Sequence, residues 1–133
     1  MSWKPDGYPE VSPYLVIERA ERTIHFLEAL FGATQLRRFD APDGGVMHAE
    51  LRIGESVIMI GDAGGDWRPV PAFLHVYVPD VDEVYRRALE LGAEPVQPPE
   101  RKADDPDRRG GFRDPGGNTW WVATQSKAPP PEA

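Results

Sequence analysis

Apolar residues along this chain fall into two kinds of run, and the two kinds alternate. Pro13-Tyr14-Leu15-Val16-Ile17 is short, continuous and partly β-branched, with turn formers on its flanks, which predicts a buried strand. From about Ala20 to Phe31 the spacing changes. Ile24, Leu27, Leu30 and Phe31 recur at helical intervals, while Glu21, Arg22 and Glu28 fall off that stripe. Gly32 stands where a left-handed stop belongs. A strand-like stretch follows at 34–39, then a polar Pro/Gly/Asp loop, then a hairpin whose arms, 47–53 and 56–60, flank the two-residue connection Gly54-Glu55.

The same order returns in the second half. Phe73-Leu74-His75-Val76-Tyr77-Val78 reads as a strand, and Asp80 with Glu83 three residues on forms a capping-box pattern ahead of a stripe of Val81, Val84, Tyr85, Ala88 and Leu91, ended by Gly92. A short stretch at 94–97 and a closing hairpin around Asp114-Pro115-Gly116-Gly117-Asn118 complete it. The helix-ending pairs Gly32-Ala33 and Gly92-Ala93 lie 60 residues apart. The expectation is α+β: two tandem βαβββ modules, at 11–62 and 72–125, joined by a linker at 63–71. Residues 1–10 form an N-terminal extension and 126–133 a Pro-rich tail, both read as loosely held ends.

Hairpin geometry turns the pattern into candidate chemistry. With Gly54-Glu55 as the turn, Ile53 faces Ser56, Leu51 faces Ile58 and Glu50 faces Met59. Alternation then gathers Ala49, Leu51, Ile53, Ile58 and Ile60 on one face, suited to the helix. His48, Glu50, Arg52, Val57 and Met59 share the other. Trp120 and Trp121 point to opposite faces, and one of them belongs to the core.

Composition narrows the possibilities. A chain of 133 residues holds one domain with one sizeable core. A net charge of −7 disfavours a phosphate-tracking surface, so nucleic acid is not an expected partner. The absence of cysteine removes thiolate metal sites, disulfides and cysteine nucleophiles, leaving His25, His48 and His75 for metal or general-base work. No apolar run is long enough to span a bilayer and no signal-peptide core opens the chain, so no membrane partner and a cytoplasmic location are expected.

The doubled module, the helix ending in Phe31-Gly32-Ala33, the hairpin His48-Ala49-Glu50-Leu51-Arg52-Ile53-Gly54 and the closing Asp114-Pro115-Gly116-Gly117-Asn118-Thr119-Trp120 together resemble the vicinal-oxygen-chelate superfamily. That superfamily includes glyoxalase I, bleomycin-resistance proteins and extradiol dioxygenases; the likeness covers about 11–125 and is nearest an uncharacterised glyoxalase-like branch. The resemblance implies a cupped mixed sheet around a central cavity, often in a homodimer. In members that use a metal, it implies four His, Glu or Gln ligands on the first and last strands of the two modules. Those positions here are Ser12, Met59, Phe73 and Trp121, none a usual ligand for a divalent cation.

Two functions stay open on this footing. In the first, a metal-independent pocket without a cofactor sequesters a small apolar or aromatic organic molecule such as a drug or metabolite, using Tyr14, His48, Glu50, Met59, Trp67, Phe73, His75, Tyr77 and Trp121. In the second, His48, Glu50 and His75 hold a divalent metal, or Glu50 acts as a metal-free acid–base, in a lyase, isomerase or dioxygenase. Arg108, Arg109 and Arg113 could clamp an anion, but the surrounding Asp104, Asp105, Asp107 and Asp114 favour a solvated charge network.

Overall fold

The computed structural model describes residues 2–125; the Pro-rich tail lies outside them. The chain divides into two compact units, Met1–Pro71 and Ala72–Ala133. Each carries one four-stranded mixed sheet and one helix.

The first unit contains β1 (Tyr14–Ile17), α1 (Ala20–Phe31), β2 (Thr34–Asp40), β3 (Val46–Ile53) and β4 (Ser56–Asp62). Its sheet runs β1-β4-β3-β2, with β1 parallel to β4 and the other pairs antiparallel. The hairpin register is the expected one, Ile53 opposite Ser56, Leu51 opposite Ile58 and Glu50 opposite Met59. α1 packs on β3 and β4. Leu15, Ile17, Ala49, Leu51, Ile58 and Ile60 are buried with Ile24 and Leu27 of the helix. The buried helix set is Ala20, Thr23, Ile24, Phe26 and Leu27, so the core face lies toward the N-terminal turns; Leu30 and Phe31, expected in the stripe, are only half-buried.

α1 begins without a local cap. Arg19 is left-handed (φ 51°) and offers no side-chain bond; Asp62 at the end of β4 accepts from the Ala20 N–H at 2.8 Å and from the Val46 N–H at 3.0 Å. One carboxylate thus ties helix start, β3 start and β4 end together.

The second unit contains β5 (Phe73–Tyr77), α2 (Val81–Glu90), β6 (Glu94–Arg101), β7 (Asp107–Arg113) and β8 (Thr119–Gln125), in the order β5-β8-β7-β6. Asp80 caps α2 by accepting from the Glu83 N–H at 3.2 Å; the Glu83 carboxylate turns instead to Arg86. Trp120 is the core tryptophan, 2 % exposed, with its indole N–H on Asp114 at 2.8 Å. Trp121 lies half-buried on the opposite face. β6 runs four residues beyond the expected stretch, through Pro98 and Pro99, because it is an edge strand with interrupted register, where missing N–H groups cost no ladder bond.

Candidate functional site

The second face of the first sheet carries a continuous chain of polar contacts. Tyr14 and Glu50 both pair in register with Met59, which sets the three side by side across β1, β4 and β3. His48, two residues before Glu50, shares that face. Its Nε2 lies 2.7 Å from Glu50 Oε2, and its Nδ1 lies 3.1 Å from the Tyr14 hydroxyl. Glu50 is 4 % exposed, and its other oxygen accepts from the Tyr8 hydroxyl at 2.5 Å.

Tyr8 belongs to the segment expected to be a loosely held end. The structure differs: Lys4 Nζ donates to the Tyr8 carbonyl at 2.7 Å, Arg52 donates to the Gly7 carbonyl at 2.9 Å, and the Arg37 guanidinium lies 5.7 Å from the Tyr8 ring. These contacts are polar and span up to 45 residues. They leave no periodicity to read; the aromatic and basic residues of 3–8 were the available signal.

Burial acts to raise the Glu50 pKa, but hydrogen bonds from Tyr8 and His48 and the nearby positive charge of Arg37 outweigh it, and the net shift is downward. Burial and the Glu50 carboxylate in turn raise the Tyr8 phenol, which stays a proton donor. Glu50 is therefore an ionised acceptor with both oxygens engaged.

Beside this chain lies a cavity of about 530 Å³ whose wall includes Tyr14, Val16, Val46, Met47, Asp62 and Trp67. Tyr14 reaches His48 by leaning over Gly61, which pairs with Val16 and also lines the cavity. A Cβ at Gly61 would sit 3.0 Å from the Tyr14 hydroxyl oxygen and 2.9 Å from the Met47 carbonyl oxygen. Trp67 is held by a reciprocal backbone pair with Gly64, and the segment around it runs along β1 through Ala63 N–H to Ile17 and Val70 N–H to Val16. The linker of the sequence reading is thus bonded to the strand that carries Tyr14.

The remaining sequence candidates, Phe73, His75, Tyr77 and Trp121, all belong to β5 and β8 of the second unit, where His75 pairs in register with Trp121. Phe73 is 80 % exposed and Tyr77 64 %. Trp121 spreads its indole over Gly111 of β7, where a Cβ would lie 2.7 Å from the ring. His75 Nε2 accepts from Arg109 Nε at 3.2 Å, and burial together with the Arg109 charge lowers its pKa. Arg109 also pairs with Asp105 and Asp107, Arg108 with Asp82 and Arg113 with Glu94, so each of the three arginines is committed to a carboxylate. A broader depression of about 550 Å³ at Tyr77, Val78, Pro79 and Gln125 is open and carries little chemistry.

The structure therefore brings Tyr14, His48, Glu50 and Met59 together and sets Trp67 with Tyr14 on one cavity. Among the described residues, no three His, Cys, Asp or Glu side chains form a group able to hold a metal ion, which gives the triad of His48, Glu50 and His75 no support.

The model of the Glyoxalase/Bleomycin resistance protein/Dioxygenase superfamily matches residues 11–122. The chain belongs to that superfamily. Its uncharacterised relatives include Rv0887c of Mycobacterium tuberculosis and Mb0911c of Mycobacterium bovis, each 36 % identical over 123 residues; the match covers 84 % of this chain, and 72 % and 80 % of those proteins. Among solved structures, TioX from Micromonospora sp. ML1 superposes with a TM-score of 0.74 at 27 % identity, covering 88 % of this chain and 98 % of TioX. The fosfomycin resistance protein FosX from Listeria monocytogenes superposes at 0.72 and 16 % identity, covering 90 % and 94 %, a likeness of fold alone. For this superfamily member, the βαβββ order of each unit agrees with the resemblance carried by its sequence motifs.

Proposed function

We propose that this superfamily member binds a small, largely apolar or aromatic organic molecule without a metal at the superfamily's usual positions. The observation that carries this is the cavity of about 530 Å³ beside Tyr14, Met47 and Trp67, of the size and mixed aromatic lining that small organic ligands fill. The donor chemistry agrees. Ser12, Met59, Phe73 and Trp121 offer a hydroxyl, a thioether and two aromatic rings in place of imidazole and carboxylate, and these do not fit a divalent cation. The exposed Phe39, Met47, Phe73 and Tyr77 support a homodimer as the working form, since apolar groups of that size are commonly covered by a partner.

A thermal-shift panel of aromatic compounds tests the binding role, because a ligand that binds only the folded state raises its apparent stability. At least one compound should raise the midpoint, and Trp67→Ala should reduce the rise. Elemental analysis of protein purified without chelator should find no stoichiometric divalent metal, and light scattering should give twice the chain mass. A tightly held metal lost on substituting His48 or Glu50 overturns the metal-free reading.

The Tyr14–His48–Glu50–Tyr8 chain supports a second reading, metal-free acid–base catalysis of an isomerase or lyase kind. There Tyr14 is the group that faces the cavity and His48 takes the proton through the Tyr14 hydroxyl, while the Glu50 carboxylate orients the imidazole.

A further inference from the structure

We infer that the cavity of the first unit selects a hydrogen-bond-donating organic cation, an aromatic or apolar ammonium compound, and rejects organic anions. This deepens the binding role proposed above and depends on it. With the His48 imidazole neutral, the direction of the polar chain follows from its buried end. Ionised Glu50 can only accept, so a neutral His48 must carry its proton on Nε2 and point the lone pair of Nδ1 at Tyr14. The Tyr14 hydroxyl then donates to His48. What Tyr14 has left for the cavity is an oxygen lone pair, an acceptor.

The other polar side chains on the cavity wall have the same sense. Asp43 and Asp62 line it, and among the described residues no lysine, arginine or histidine does. Asp62 has each oxygen on a backbone N–H, which satisfies its hydrogen bonding but leaves its charge. Asp43 uses one oxygen on the Gly45 N–H and keeps the other. Two carboxylates, a phenol oxygen turned outward as an acceptor, and the rings of Tyr14 and Trp67 are together the surroundings in which an ammonium group is favoured by charge, by hydrogen bonding and by the faces of the aromatic rings. A carboxylate or phosphonate ligand would meet like charge from Asp43 and Asp62, opposed by a single free side-chain donor on the described wall, the Trp67 indole N–H.

Two probes that share an indole and differ in the sign of their charge test this: tryptamine and indole-3-acetate, titrated calorimetrically into the full chain at pH 8, where histidine side chains are ordinarily neutral. Tryptamine should bind at least tenfold more tightly. Tyr14→Phe should weaken tryptamine about tenfold, roughly the worth of one hydrogen bond to a charged group. Asp43→Asn, at an exposed turn position whose backbone contact asparagine can keep, should weaken it severalfold and flatten its salt dependence. Equal or tighter binding of indole-3-acetate overturns the selectivity, as does binding of neutral aromatics with neither charged probe bound; the binding role survives both results. If nothing binds, both fall.

Discussion

Glycine at position 61 does its work by leaving space. Because no side chain stands there, the Tyr14 ring crosses from its own row to reach His48, and a Cβ would press at once on the Tyr14 hydroxyl and the Met47 carbonyl. Gly61→Ala should therefore cost about 1–3 kcal/mol, the usual range for forcing a methyl group into a packed site, and should remove the Tyr14 contribution to binding along with it. Denaturant midpoints checked beside a ligand titration would reveal the coupling; an alanine variant of unchanged stability and affinity would show that Tyr14 does not depend on the gap. Gly111 plays the same part for Trp121. At Glu50 the residue-scale consequence is a pH dependence. Its folded pKa lies below the ordinary value of 4.5, so the stabilisation is fully present above that pH and is lost as pH falls through the folded value. Glu50→Gln should destabilise the protein by about 1–3 kcal/mol at pH 7, the cost of weakening a buried charge-assisted pair, and the gap to wild type should close as the pH is lowered through the carboxylate range. Urea titrations stepped from pH 7 down to about pH 3 measure it; a gap that stays constant across that range contradicts the assignment.

Elements whose causes are local were legible in the amino-acid sequence. The register of β3 and β4 followed from a two-residue turn and alternation alone, and α1 ended at Gly32 (φ 67°) as its position implied. What escaped detection depends on contacts distant in sequence. The N-terminal cap of α1 is Asp62, 42 residues away, and nothing near Arg19 announces it. Tyr8 reaches Glu50 across the same separation. The buried face of α1 includes Phe26 because the helix beds its first turns on β3 and β4, a choice made by the sheet and not by the helical period. Of the candidate site, His48, Glu50 and Met59 could be placed on one face from strand alternation, whereas bringing Tyr14 to them and closing the hydrogen-bonded chain needed the parallel pairing of β1 with β4, which joins residues more than forty positions apart. Trp121 could have been assigned away from the core from Gly111, the gap in the neighbouring strand over which its indole lies.

For the whole molecule, the doubling legible at Gly32 and Gly92 has become two units, each with its own sheet, helix and core. The units have diverged in chemistry more than in order: the first supplies the Tyr14–His48–Glu50 chain, the second the exposed Phe73 and Tyr77 and the pairings of Arg108, Arg109 and Arg113 with carboxylates. A protein with so much strand faces the hazard that an outer strand recruits a copy of itself, and β6 meets that hazard through Pro95, Pro98 and Pro99 and its broken register. An incoming strand would meet prolines along β6, residues that have no N–H to offer. Fibrillar growth through that edge should be hindered, and replacing Pro98 and Pro99 with valine should raise thioflavin-positive aggregation on prolonged incubation; a variant that stays as clear as wild type would place the protection elsewhere.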